Sequence, residues 1–206
     1  MKKIILSLGL LVGIFSISLA DSPITSTGFA EAYKDHKMVK KAQEAGGLLN
    51  KKLMKYLAHP SKPIDIKMAI INAIGWDIDG KDNYGTYLNF IAQKRKTTAG
   101  AADFYDKLKR DDFLCLAYIK AMDNYFNVDE AMKLAEMARK ANPNSYTCQI
   151  VTGLIFAQKA FDSDWCKVWR IVYKVQQNSN LEQDMKREAK KIIFDYMGLY
   201  KDECKS

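Results

Sequence analysis

Histidine is scarce in this chain. Only His36 and His59 occur, far apart in sequence from each other and from the four cysteines. A histidine-based triad or a zinc centre therefore has few ligands to draw on, and no C-x-x-C pair supplies a thiolate alternative. No G-x-S-x-G, no H-E-x-x-H and no glycine-rich phosphate loop is present, so the motifs call for no cofactor and no metal. Proline is also rare, with four in 206 residues, which leaves long stretches free to be helical. Alternating apolar and polar runs of the strand type are missing, and that argues against a β-rich fold. Beyond residue 20 no apolar run approaches the roughly 20 residues of a membrane-spanning helix.

The first twenty residues are a different matter. Met1-Lys2-Lys3 forms a positive start, Ile4 to Leu19 is mostly apolar, and Ser18-Leu19-Ala20 places small residues where a signal peptidase reads. Ser7, Ser16, Ser18, Gly9 and Gly13 interrupt the run, which suits a cleaved signal better than an anchor. Cleavage after Ala20 is expected, giving a periplasmic or extracellular protein with no integral membrane segment. No cysteine near residue 20 could accept a lipid. Loss of Lys2 and Lys3 lowers the net charge of +8 by two. The remaining lysines are scattered among acids, so the balance describes a solvated surface and no nucleic-acid partner.

Apolar residues recur at helical spacing through the remainder. Thr27 is placed to cap a helix carrying Phe29, Tyr33 and Ala42 that stops at Gly46-Gly47. Leu49, Leu53 and Leu57 stripe a second helix, ended by His59-Pro60. Pro63 opens a third, with Ile66, Ile70 and Ile74 on its buried face. An acidic turn over residues 75–83 leads into a fourth helix carrying Tyr84, Leu88 and Ile91, and a short helix is expected over 99–109. Asp77, Asp79 and Asp82 lie in that turn, but a calcium loop starting at Asp77 needs glycine at its sixth position and glutamate at its twelfth. Asp82 and Leu88 stand there, which favours a turn that caps the following helix.

From Asp112 a period of about 34 residues appears. It places Ala131, Ala138 and Pro143 at the two small-residue positions and the terminal proline of one unit, and Gly153 and Phe156 at the small and aromatic positions of a second unit that starts at Tyr146. Residues 112–178, and most strongly Asp129 to Ser145, resemble the tetratricopeptide repeat. Ile119, Trp165 and Val172 depart from its small-residue pattern. The expected fold is all-α, an α-α superhelix (a solenoid of antiparallel helix pairs), with N-terminal pairs over 21–110 and repeats plus a capping helix, from about Leu181 to Tyr200, over 111–206. Together these form one continuous domain. The opening Asp21 to Thr27 and the stretch Met68 to Asp77 also resemble small exported bacterial proteins, a likeness that supplies no activity.

Resemblance to the repeat implies a protein or peptide partner held in a groove lined by the first helices. Its positions fall on Phe113, Leu116, Lys120, Asp123 and Asn124, then on Thr147, Ile150, Leu154, Ala157 and Gln158. The competing expectation is that the N-terminal helices fill that groove. Trp165 and Trp169 stand one helical turn apart at repeat positions that normally pack. Antiparallel helices over 163–177 and 181–202 would bring Cys166 opposite Cys204, and the starts of successive first helices would bring Cys115 near Cys148, so two disulfides are expected in an oxidising compartment. The leading functional expectation is an exported, non-enzymatic interaction or scaffolding module. The alternative is a cell-envelope enzyme, a glycan or peptide hydrolase whose acids the fold assembles.

Overall fold

The structure, a computed structural model, describes residues 22–205, and the expected signal segment lies outside the described residues. Ten α-helices occur in the described chain: α1 (Lys37–Gln43), α2 (Lys51–Leu57), α3 (Ile64–Ile74), α4 (Asn83–Lys94), α5 (Phe104–Lys107), α6 (Arg110–Asp123), α7 (Asp129–Ala141), α8 (Tyr146–Phe161), α9 (Trp165–Gln176) and α10 (Arg187–Met197). Short 3₁₀ turns cover Phe29–Tyr33, Gly198–Tyr200 and Asp202–Cys204. No strand forms among the described residues, only an isolated bridge between Ser145 and Glu182. None of these helices is long and apolar enough to cross a membrane.

Local signals account for most boundaries. Asn50 caps α2, its Oδ1 accepting from the Lys52 and Leu53 amides at 3.0 and 3.1 Å. Asp82 caps α4 through the Gly85 amide, as the acidic turn implied. Ser145 and Asp164 do the same for α8 and α9. Gly46 and Gly47, after α1, take left-handed φ of 61° and 79°, open only to residues without a Cβ penalty. The first expected helix, however, divides in two. A 3₁₀ turn over Phe29–Tyr33 precedes α1, and His36 caps α1 by accepting from the Met38 amide. Thr27 turns back instead, donating from Oγ1 to the Pro23 carbonyl.

The strongest helix pairings are α6 with α7 and α8 with α9, each closed by a short turn. Ala131 and Ala138 on α7 are fully buried, so α7 lies close against its neighbours. A Cβ added at Gly153 would already touch Ile171, Val172 and Val175 of α9. The final helix begins later than expected. Residues 181–186 stay outside the helix, and Asp184 there plugs the start of α8: its carboxylate accepts from Ser145 Oγ at 2.5 Å and from the Thr147 amide at 2.8 Å.

Two ion pairs join the N-terminal helices to α6. Arg95, just past α4, donates to both oxygens of Asp112 at 2.7 and 2.9 Å and to the Ala58 carbonyl at 3.0 Å. The same carboxylate accepts the Lys109 amide at 2.7 Å and so closes the exposed start of α6. Beside it Lys67, whose side chain is 1% exposed, meets Asp111 at 2.6 Å. Removing one partner strands a buried charge. Arg95→Ala should lower unfolding free energy by about 3–5 kcal/mol in urea titrations. Arg95→Met combined with Asp112→Leu should recover part of that loss, and a cost below ~1 kcal/mol for the single change would show the pair to be peripheral.

Of the two expected disulfides one forms. Cys166 and Cys204 are bonded with Cα atoms 4.7 Å apart. Cys115 and Cys148 are free and buried, which corrects the other pairing. Their sites differ by one residue between the two units, so the thiols turn to different neighbours. Cys115 sits beside Tyr87 of α4, and Cys148 beside Arg139 of α7. Burial raises both thiols, Cys148 to about 12. Thiols of this kind are unreactive while folded. Alkylation should label neither cysteine in the native protein, two after denaturation and four after denaturation with reduction, read by mass spectrometry. Labelling of only Cys166 and Cys204 after unfolding without reductant would overturn the assignment.

Candidate functional site

The residues expected to line a groove are brought together on α6 and α8, but most are core. Leu116, Thr147, Ile150, Leu154 and Ala157 are fully buried, and Gln158 is nearly so. α3 packs across both helices, and the segment before it adds single contacts. The Ile24 amide donates to Gln158 Oε1 at 3.2 Å, and Phe29 stacks on Tyr118 of α6 at 6.2 Å. Asn72 of α3 ties the segment down, its Oδ1 accepting from the Ala30 amide and its Nδ2 donating to the Thr27 carbonyl and Tyr118 hydroxyl. Tyr33 closes the far side by accepting the Lys186 amide at 3.0 Å. Phe113 and Lys120 are only partly covered, yet both are engaged. Phe113 stacks on Tyr105, while Lys120 pairs with Glu130 at 2.8 Å and lies over the Tyr84 ring.

Asp123, which ends α6, and Asn124 just past it reach a different place. They border a cleft of about 570 Å³ formed by the α3–α4 connection, 77–82, and the α6–α7 connection, 123–126. The two loops meet closely. The Lys81 amide donates to the Asp123 carbonyl at 3.1 Å, and at Gly80, with φ of 80°, an added Cβ would lie 3.3 Å from that same oxygen. Glycine is therefore required there by both conformation and space. Asp77 and Asp79 form a tight turn, with the Asp79 amide on Asp77 Oδ1. Trp76 packs edge-on against Tyr125, whose ring in turn contacts Phe126.

Electrostatically this cleft is acidic on a chain of net charge +8. Four aspartates line it (77, 79, 82 and 123), against one lysine. Lys81 points inward, donating from Nζ to the Ile74 and Gly75 carbonyls at the end of α3, and desolvation lowers its pKa. Its charge thus complements a helix terminus. Asp123, buried and accepting the Tyr84 amide at 2.5 Å, has its pKa raised by desolvation. Two large apolar side chains stand at the rim, Ile78 at 62% and Phe126 at 68% exposure. The Tyr125 hydroxyl is buried and finds no partner among the described residues.

Sequence reasoning singled out Asp77, Asp79 and Asp82 as a turn and missed their apposition to the end of α6. The available signal was Ile78 flanked by two aspartates, an apolar residue with no helical stripe to join. No group of three or more histidine, cysteine or acidic residues is arranged to hold a metal among the described residues. Trp165, expected to pack, is 50% exposed at the start of α9, its indole nitrogen donating to the Phe161 carbonyl. Trp169 is half-buried against Tyr173 and Phe194.

Comparison with known proteins finds no matching family model, no matching curated protein and no matching solved structure.

The raised Asp123 pKa has a measurable consequence. The native state keeps this proton at pH values where the unfolded chain, near 3.8, has released it. Asp123 therefore weighs against folding increasingly as pH rises from 3.8 through its folded value. Asp123→Asn removes that dependence while keeping an acceptor for Tyr84. Urea titrations between about pH 3.5 and pH 7 should show wild type losing stability relative to the variant as pH rises. A constant or opposite difference contradicts the assignment.

Proposed function

We propose that this protein is an exported, non-enzymatic interaction module with a tetratricopeptide-like superhelical C-terminal half, and that its partner surface is the acidic cleft at the end of α6. The partner is a protein or peptide segment carrying basic residues around an apolar side chain. The observation that carries this reading is the pairing, in one cleft, of exposed Ile78 and Phe126 with aspartates whose only lysine is turned inward. Exposed apolar residues within a field of one sign mark interaction surfaces more often than isolated ones do. The α6–α8 face, where tetratricopeptide repeats hold peptides, is taken up here by α3, with Ile24 and Phe29 touching Gln158 and Tyr118.

Fluorescence anisotropy with a labelled peptide of alternating lysine and leucine tests the cleft. Binding should be micromolar to millimolar at low salt, and it should weaken as salt rises. Phe126→Ser should reduce affinity at least about tenfold, equivalent to ~1.4 kcal/mol, and Asp77→Asn with Asp79→Asn should do the same without shifting the melting temperature. Equal binding by both variants would refute the site. For export, expression in a bacterial host should yield a periplasmic or secreted form whose mass corresponds to a chain starting at Asp21. An intact, cytosolic chain would contradict that expectation.

A further inference from the structure

A second surface carries the opposite charge. On the back of the repeats α7 and α9 diverge over α8 and leave a groove of about 620 Å³. Met132, Phe156 and Ile171 give it an apolar floor, and Arg139, Lys159, Lys167 and Lys174 surround that floor against a single acid, Glu136. Arg139 is fixed in place by Gln149 and lies over the Phe156 ring, while Lys159 pairs with Asp129. Lys167 and Lys174 are exposed and have no ion pair among the described residues. Desolvation lowers the Arg139 pKa, the signature of a cation drawn into an apolar wall. An apolar floor with unpaired cations at its edge calls for an apolar group flanked by acids.

This chain presents such a group. Ile78 stands between Asp77 and Asp79, and Phe126, three residues past Asp123, lines the same cleft. Asp77 and Asp79 form no salt bridge of their own among the described residues. The acidic cleft and the basic groove share no lining residue and belong to different elements of the fold, so another copy must bring them together. We propose that the protein self-associates head to tail, the Ile78 and Phe126 rim of one copy seating in the groove between α7 and α9 of the next, with Asp77 and Asp79 opposite Lys167 and Lys174. The inference rests on the cleft being a partner surface and names the occupant as a second copy. A contact between two different patches leaves one patch free at each end, so assemblies grow with concentration until a ring closes. Because charge pairs hold the rim together, salt disperses them.

Sedimentation velocity on the full chain at low ionic strength provides the test. Wild type should gain mass with concentration and lose it in about 0.5 M salt. A cleft variant, Asp77→Lys with Asp79→Lys, and a groove variant, Lys167→Glu with Lys174→Glu, should each be monomeric, with unchanged circular dichroism and melting. Mixed in equal amounts they should associate again, because the intact groove of one meets the intact cleft of the other and the two reversed patches are complementary as well. Wild type that stays monomeric up to ~1 mM overturns the proposal, as does a mixture of variants that stays monomeric while wild type associates. Basic-peptide binding without self-association removes the second copy and leaves the cleft. Loss of both removes the cleft as well.

Discussion

Asp112 stands where two halves of the chain meet, and its carboxylate is shared between them. From the N-terminal half comes Arg95, held on both oxygens and also on the Ala58 carbonyl that ends α2. From its own half comes the Lys109 amide at the start of α6. A carboxylate this buried is tolerable only with every lone pair occupied, and a bidentate guanidinium supplies what a lysine cannot. Lys67 and Asp111 repeat the arrangement one residue earlier. The N-terminal helices are thus fastened to α6 by charge as well as by packing. The 3₁₀ turn around Phe29 packs on α3 and α10, with Phe29 stacked on Tyr118 of α6.

That placement decides what the molecule can offer a partner. A groove built from first helices is useful only while empty, and here Gln158, on its wall, is already bound to the chain itself. What remains outside are the helix ends. At the C-terminal end of α6 the α3–α4 connection is drawn in by the Lys81 amide, and Lys81 itself is spent on the end of α3. The result concentrates negative potential beside two exposed apolar side chains, on a molecule otherwise positive. At the other side, α7 and α9 leave cations over apolar floor. Charge separated in this way favours oriented encounters over random ones.

Helix positions were legible because each rested on local chemistry: leucine and isoleucine stripes, and the capping Asn50, Asp82, Ser145 and Asp164. Ala131 and Ala138 could be placed by period alone, since small residues at that spacing serve close helix approach. The first helix was misread because His36 caps a new helix where periodicity continues through it. The last was placed too early because Asp184 is needed by α8, a contact across 39 positions that no local pattern contains. Cys115 and Cys148 failed to pair for a similar reason: one residue of offset rotates a thiol by about 100° on a helix, and repeat alignment does not resolve it. Cys166 and Cys204 needed only that two helices be antiparallel. The acidic cleft was half visible, as an acidic turn on one side and as Asp123 and Asn124 on the other. Only the fold puts them together.

Amide hydrogen exchange on the protein with and without a basic, apolar-containing peptide asks directly where a partner sits. Burial of the α6–α8 face within the chain itself, with the cleft as the free surface, predicts new protection in residues 77–82 and 123–126 and none at Leu116, Ile150 or Leu154. Protection spreading over 147–158, accompanied by faster exchange in residues 22–33, would mean that the N-terminal segment yields its place to the partner, and would contradict the account.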